Sequence, residues 1–449
     1  MKRRIITIMM MLSLVICLSG CSCLMLAVAV DVMGPGVNET EEWTEHTTEK
    51  HTAEQLTTQT GERETETETE VEIDKVTVLI YMNGSDLESE DSQATFDIEE
   101  MLRAPYSEDV NIVIQTMGTM EWSDKYDISS DETQRFILKE NDLQLVSRGL
   151  GQLDCTKSDT LRDFVKWGVK EYPAERYILL FWNHGGGPVY GFGYDEYQGY
   201  DENLSLDEIK EALGETGTDF ELIGMDCCIM SCLEVCYALY NYCDYMILSE
   251  EFEPGDGWEY EGFLTALSDN PEIGIEELGK VIIDDMIEVY ENYSEDESAT
   301  LALIDQSMIK ILFSAWKDFA YMHEEELLRG DLVTGIHASD RAFSDWFDDD
   351  DDDTMADYYL TDILTFAKSI DSKEALALEN VANNTIVYYR GTGSVENLTG
   401  LSVTIPYGDI EFYEEMSEVF INCGMDKQYI EWLEKFAYVS GVGGFEFVD

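Results

Sequence analysis

Basic residues are scarce in this chain. Its 449 residues include only 27 Lys and Arg against 95 Asp and Glu, so the formal net charge is −68. No basic stripe is present, and we therefore exclude nucleic acid as a partner. Attraction between opposite charges favours basic peptides or divalent cations, although solubility alone is the alternative reason for such acidity. Hydrophobic residues make up 44% of the chain, which is enough for the core of one or two domains.

Cysteine pairs with the spacing of metal sites are also missing. The chain has 10 Cys but no CxxC pair, and five of them crowd into residues 227–243. A disulfide framework would distribute its bridges around a small scaffold. Cys228, Cys232 and Cys236 have the spacing of one helix face, so a zinc site is one interpretation. We favour buried, apolar Cys and expect no metal site and no required cofactor.

The first 33 residues have the features of a targeting segment. Basic residues 2–4 precede the apolar residues 5–18, and the sequence ending in Cys21 is similar to a bacterial lipobox, in which this Cys carries the lipid. The apolar run continues to Val30 and is long enough to span a bilayer, so an uncleaved anchor is the alternative. Either interpretation holds the protein on the extracellular face of a bacterial cell membrane.

Thr and Glu dominate residues 34–74, which cannot bury enough apolar surface to fold and are expected to form a disordered stalk. We divide the remainder into an α/β core at residues 75–256 and a mainly helical C-terminal subdomain at residues 257–449, with a late strand at residues 401–405. Helices of that subdomain are expected near residues 273–290, 306–328, 357–370 and 373–384.

The core alternates predicted strands with predicted helices. Apolar runs predict strands at residues 76–82, 111–116, 177–182, 220–225 and 245–249, and a hairpin at residues 136–138 and 143–146. A helix is expected over residues 86–102, and Ser205 with Glu208 has the spacing of a capping box. Such alternation predicts an α/β fold with a mostly parallel sheet flanked by helices.

Two of the predicted strands end at reactive residues. His184 follows residues 177–182, and Cys228 follows residues 220–225. Because the carboxyl ends of parallel strands meet at one edge, we expect His184 to be the base for a Cys228 nucleophile. The backbone N–H groups of Gly185 and Cys228 are expected to form an oxyanion hole. A tight turn with an incidental His is the alternative interpretation.

The residues next to Cys228 suggest a specificity pocket. Side chains alternate along an extended strand end, so Asp226 and Cys228 share one face and Cys227 points away. A carboxylate there would select a basic side chain, although Asp226 could instead cap a helix. We also expect Cys228 at a helix N-terminus, where the helix dipole favours the thiolate.

The segments around His184 and Cys228 resemble those of the clostripain family of cysteine peptidases, in the caspase-like clan. The similarity extends to residues 78–82, 249–258 and 400–406, and covers roughly residues 75–440. It implies a caspase-like catalytic core, a His184–Cys228 dyad and cleavage after Arg or Lys. Asp226 lies where the pocket acid of the family lies, and Ser249 and Glu250 are assigned with it to substrate binding.

Two features differ from the usual family pattern, and one further segment has two interpretations. Family members often cut themselves at a basic residue between the His and the Cys, but here only Lys210 is available, within a predicted helix. Cys227 stands where the family usually has a smaller residue. The six-Asp run at residues 348–353 is interpreted as a solvated insertion, with loose calcium binding as the alternative.

We therefore expect a surface-tethered, monomeric cysteine endopeptidase that acts on peptides and proteins with basic residues. The alternative is a catalytically silent surface protein that binds peptides or other ligands through the same pocket. The intact set of His184, Cys228 and Asp226 favours the enzyme.

Overall fold

The computed structural model describes residues 73–199, 202–293, 298–328, 359–395 and 397–438. Within these residues nine strands form one sheet and two more form a small one. In chain order the strands are β1 (Asp74–Asn83), β2 (Val110–Met117), β3 (Gln134–Lys139), β4 (Asp142–Ser147), β5 (Ala174–Trp182), β6 (Phe220–Asp226), β7 (Cys243–Leu248), β8 (Thr300–Asp305), β9 (Leu360–Asp362), β10 (Ile386–Gly391) and β11 (Ser402–Thr404).

Helices connect these strands and follow them. In the described part of the chain the α-helices are α1 (Ser85–Ser89), α2 (Gln93–Arg103), α3 (Ser158–Glu171), α4 (Gly187–Tyr190), α5 (Leu206–Thr216), α6 (Leu233–Leu239), α7 (Tyr260–Asp269), α8 (Ile275–Tyr293), α9 (Ile309–Met322), α10 (Glu324–Leu328), α11 (Ile363–Lys368), α12 (Lys373–Thr385), α13 (Ile410–Asn422) and α14 (Lys427–Ala437).

The large sheet has a parallel centre and antiparallel edges. Its order is β10-β8-β7-β6-β5-β1-β2-β3-β4, and the five strands from β7 to β2 run parallel. The hairpin of β3 and β4 closes one edge, and β8 with β10 closes the other. The predicted α/β fold with a mostly parallel central sheet is therefore confirmed.

Apolar layers cover both faces of the sheet. In β1 the side chains of Val78 and Ile80 join the layer beneath α2, α7 and α8, whereas Leu79 and Tyr81 join the opposite layer. This alternation follows from the two-residue period of a strand. Because both faces are buried, the central strands are continuous hydrophobic runs in the sequence.

The C-terminal half both covers and completes the sheet. Its predicted helical character is confirmed by α8, α9 and α12, but β8 and β10 were not predicted and extend the main sheet. The predicted late strand is β11, which pairs antiparallel with β9 in the small sheet. The boundary assigned after residue 256 stays a prediction. Strands on both sides of it belong to the same sheet.

Several predictions lie outside the described residues. They are the Cys21 lipidation site, the anchor at residues 1–33, nearly all of the stalk at residues 34–74, and the six-Asp run. Among the described helices, none has both the length and the apolar character that crossing a bilayer requires.

Candidate active site

The two reactive segments leave the sheet from neighbouring strands. β5 pairs parallel with β6, and Trp182 lies opposite Asp226 at the end of the ladder. The two segments remain in contact beyond the strands. A Cβ atom built on Gly185 would lie 3.0 Å from the backbone nitrogen of Cys228. The segment that carries His184 is thus packed against the segment that carries Cys228.

Cys228 lies in a turn and not at a helix N-terminus. Ile229 has φ of 52°, and α6 begins only at Leu233 with Cys232 as its N-cap residue. The expected stabilisation of the thiolate by a helix dipole is therefore wrong, because the dipole acts only within the first turn of the helix. The interpretation of Cys228, Cys232 and Cys236 as one helix face is wrong for the same reason.

The Cys228 thiol is held by a neighbouring loop. The backbone N–H of Glu253 donates to Sγ over 3.2 Å, and burial raises the pKa of the Cys228 thiol to about 12. Cys227 is only 3% exposed and belongs to the apolar layer that contains α6. Cys228 keeps more of its surface accessible. At neutral pH the Cys228 side chain is therefore a thiol, and it could act as a nucleophile only if a base took its proton.

Asp226 and Glu253 form a buried acidic pair next to this thiol. Their carboxyl groups lie within hydrogen-bonding reach of each other, and the two residues are 5% and 7% exposed. Asp226 accepts from the hydroxyl of Tyr260 over 2.7 Å. Burial raises the pKa of Asp226 to about 6 and raises that of Glu253 well above its usual range.

The acidic pair has no cationic partner within the described residues. Neither Asp226 nor Glu253 forms a salt bridge with a Lys or Arg of that part, and each carboxyl group instead faces the other. Buried carboxylates are normally paired, so this pair is suited to receive a cation. Glu253 was missed in the sequence, although it lies within the stretch 249–258 that carried the family resemblance.

Ser249 and Glu250 have contacts of a different kind. The hydroxyl of Ser249 donates to the Glu251 carbonyl over 2.9 Å, and the Glu250 carboxylate accepts from the Gly400 N–H over 2.7 Å. The Ser249 bond lies within the loop after β7, whereas the Glu250 bond ties this loop to Gly400. Their assignment to substrate binding stays a prediction.

His184 is bound to an acidic residue that the sequence analysis did not single out. Its Nε2 lies 2.8 Å from Oδ1 of Asp86, and its ring stacks on Tyr194 at 5.8 Å between centroids. Asp86 follows β1, which neighbours β5 in the sheet. The same rule that paired His184 with Cys228, strand ends meeting at one edge, could have identified it.

Comparison with known proteins assigns the family. The sequence profile of the clostripain family matches residues 80–441, so the chain belongs to this family and is a cysteine endopeptidase. No curated protein matches the chain.

Solved structures resemble the fold. A secreted C11 cysteine protease from Bacteroides thetaiotaomicron, in complex with an irreversible peptide inhibitor, has a TM-score of 0.61 at 19% identity, covering 81% of this chain and 99% of its own. A second structure from that organism, of the secreted protease iotapain, gives 0.59 at 16% identity over the same shares. An inactive zymogen C11 protease from Parabacteroides distasonis gives 0.54 at 19% identity, again over the same shares. At these identities the likeness concerns the fold.

Proposed function

We propose that this protein cleaves peptide bonds after Arg or Lys, with Cys228 as nucleophile and His184 as base. The acidic pair of Asp226 and Glu253 beside the Cys228 thiol supports the proposal. A guanidinium or ammonium group would give these buried carboxyls the partner that the described residues do not provide. The side chain before the scissile bond enters this pocket, which sets the bond over Sγ.

The reaction follows the usual course of thiol acyl transfer. His184 takes the proton from Sγ of Cys228, and the thiolate attacks the carbonyl carbon of the scissile bond. The oxyanion that forms is stabilised by the N–H groups of Gly185 and Cys228, whose backbones are in contact. Protonated His184 then gives its proton to the leaving amine, and water hydrolyses the thioester to free Cys228.

The location of the enzyme in the cell is proposed from the sequence. The lipobox-like Cys21, or else the apolar residues up to Val30, holds the enzyme on the outer face of a bacterial cell membrane, where it acts as a monomer. Protein or peptide substrates with basic residues are drawn to a chain with a formal net charge of −68. No cofactor takes part in the steps above.

Hydrolysis of matched fluorogenic peptides tests the proposal. The peptides end in Arg, Lys, citrulline or Asp, and citrulline keeps the shape of Arg without its charge. We expect kcat/KM for Arg and Lys to exceed that for citrulline at least tens of fold, because a buried charge without its partner costs about 2–5 kcal/mol. Asp226→Asn should remove most of this ratio, whereas Asp244→Asn, at an exposed position of β7, should keep it. An unchanged ratio in Asp226→Asn would contradict the proposed pocket.

A further inference from the structure

Asp86 and His184 form the closest polar contact around the proposed base. Oδ1 of Asp86 lies 2.8 Å from Nε2 of His184, and both side chains are partly exposed, at 31% and 41%. An ionised carboxylate only accepts hydrogen bonds, so Nε2 carries the hydrogen and the lone pair of the neutral ring is on Nδ1. The contact therefore fixes which ring nitrogen can act as base.

Asp86 is itself held in place by its neighbours. The hydroxyl of Ser85 donates to Oδ1 over 2.9 Å, and the backbone N–H of Asp86 donates to the Tyr194 hydroxyl over 3.3 Å. The ring of Tyr194 stacks on that of His184 with an angle of 11° between the planes. One tyrosine thus contacts both members of the pair and sets the plane of the imidazole.

The side chain of Asn183 also connects the segment of His184 to the turn after β1. Nδ2 of Asn183, the residue before His184, donates to Oγ of Ser85 over 2.7 Å and to the carbonyl of Asn83 over 2.7 Å. Ser85 is fully buried and has φ of 42°, a conformation that residues other than Gly rarely adopt. The turn after β1 is therefore held in the conformation that presents Asp86 to His184.

We propose that Asp86 is a positioning residue that orients His184 and fixes its tautomer, extending the His184–Cys228 dyad to three residues. This inference rests on the proposed function, because it assigns His184 the role of base. When His184 takes the Cys228 proton, the Asp86 carboxylate faces the imidazolium and stabilises its charge.

The charge state of Asp86 agrees with this role. Burial opposes its ionisation, but the hydrogen bond and the charge of His184 hold the pKa of Asp86 well below its usual range. The carboxylate is therefore ionised throughout the pH range in which a cysteine peptidase works. It remains an acceptor before and after proton transfer.

Alkylation of Cys228 by iodoacetamide tests the proposal without peptide turnover. The full-length protein is labelled between pH 5 and 9, and the label on Cys228 is quantified by tandem mass spectrometry, whose fragment ions distinguish it from the adjacent Cys227. In Asp86→Asn we expect labelling at pH 7 to fall at least about tenfold and the profile to move to higher pH, because His184 takes the thiol proton less readily when the imidazolium that forms has no carboxylate beside it. Glu90→Gln, an exposed acid in the same segment, should match the wild type.

Peptide kinetics give the second readout. Asp86→Asn should lower kcat by about 10²- to 10⁴-fold and change KM less than twofold, since the wrong tautomer affects chemistry and not binding. Asp86→Glu should recover part of kcat. Labelling and kcat equal to or above those of the wild type in Asp86→Asn would overturn the proposal. If the wild type is labelled at Cys228 in a His184-dependent manner but cleaves no Arg or Lys peptide, the proposed function fails and the positioning role stands.

Discussion

The backbone of Gly185 packs directly against that of Cys228. A Cβ atom built on Gly185 would overlap the carbonyl oxygen of Cys228. The segment after His184 can therefore approach Cys228 only where it carries no side chain. This contact sets the distance between the proposed base, the nucleophile and the two N–H groups proposed for the oxyanion.

Replacement of Gly185 by Ala should lower catalysis in a protein that still folds. The added methyl group forces the Cys228 turn away, and we expect kcat to fall at least about 10²-fold, as for the loss of an oxyanion donor. Gly274→Ala is the matched control, because a Cβ there meets no atom within 4 Å. Circular dichroism and kcat of both variants check this. Activity of Gly185→Ala near that of the control would contradict the assigned contact.

The two adjacent cysteines should behave differently. Cys228 is partly buried and its thiol accepts from the backbone N–H of Glu253, whereas Cys227 is 3% exposed in the core. We expect Cys228→Ala to abolish turnover and Cys227→Ala to keep much of it, with a modest loss of stability for the small cavity. Hydrolysis of an Arg peptide by each variant measures this. If Cys227→Ala is the inactive variant, the nucleophile is misassigned.

The preference for a cationic side chain should depend on pH. Burial raises the pKa of Asp226 to about 6, so the acidic pair is largely protonated below this pH and attracts a guanidinium less strongly. We expect the ratio of kcat/KM for Arg to that for citrulline to rise at least about fivefold from pH 5 to pH 7.5. Effects of pH on the acyl-transfer steps are common to both substrates and cancel in the ratio. The double variant Asp226→Asn/Glu253→Gln should give a ratio without pH dependence.

Much of the site followed from one rule applied to the sequence. His184, Gly185, Asp226 and Cys228 are predicted because they end or follow buried apolar strands, and the structure brings those strand ends together at one edge of the sheet. Strand periodicity also predicted the sheet itself, since both faces are buried and the strands are apolar throughout.

The residues that were missed depend on tertiary contacts. Glu253 reaches Cys228 from a loop after the next strand, and Asp86 reaches His184 from the turn after β1, so neither has a local signal of its own. Ser92 has φ of 57° and divides the predicted helix over residues 86–102 into two. Strands β8 and β10 were missed because their pairing is with each other and with β7, far away in the sequence.

Stability should fall with rising pH because of Glu234. This residue of α6 is fully buried, accepts from the Tyr429 hydroxyl over 2.8 Å, and has a pKa raised by burial from 4.5 to about 7. Between these values the unfolded chain loses the proton and the folded protein keeps it. The free energy of unfolding should therefore drop by on the order of 3 kcal/mol as pH rises from 4.5 to 7.

Glu234→Gln should remove the contribution of Glu234 to this dependence. We expect the variant to be more stable than the wild type at pH 8 and no more stable at pH 5, because the amide keeps the Tyr429 bond without a charge to ionise. Urea unfolding at the two pH values measures the difference, with the exposed Glu415→Gln as control. Parallel pH profiles for the wild type and Glu234→Gln would show that Glu234 does not titrate in this range.

Active enzyme should be a single uncut chain between His184 and Cys228. Lys210 is the only basic residue in that interval, and it lies within α5, with Leu206, Ile209 and Leu213 of the same helix fully or almost fully buried. Its Nζ donates to the carbonyl of Cys423, the C-cap residue of α13, so cleavage after Lys210 requires both unwinding of α5 and loss of this bond.

An enzyme specific for basic residues would find no exposed site in this interval. Intact-mass analysis of active protein tests this prediction. We expect no fragment boundary between residues 184 and 228, and equal activity in Lys210→Gln. Two fragments that join at Lys210 in the wild type, absent from Cys228→Ala, would establish self-processing instead. A cut elsewhere in the interval, present also in Cys228→Ala, would indicate activation by a protease of different specificity.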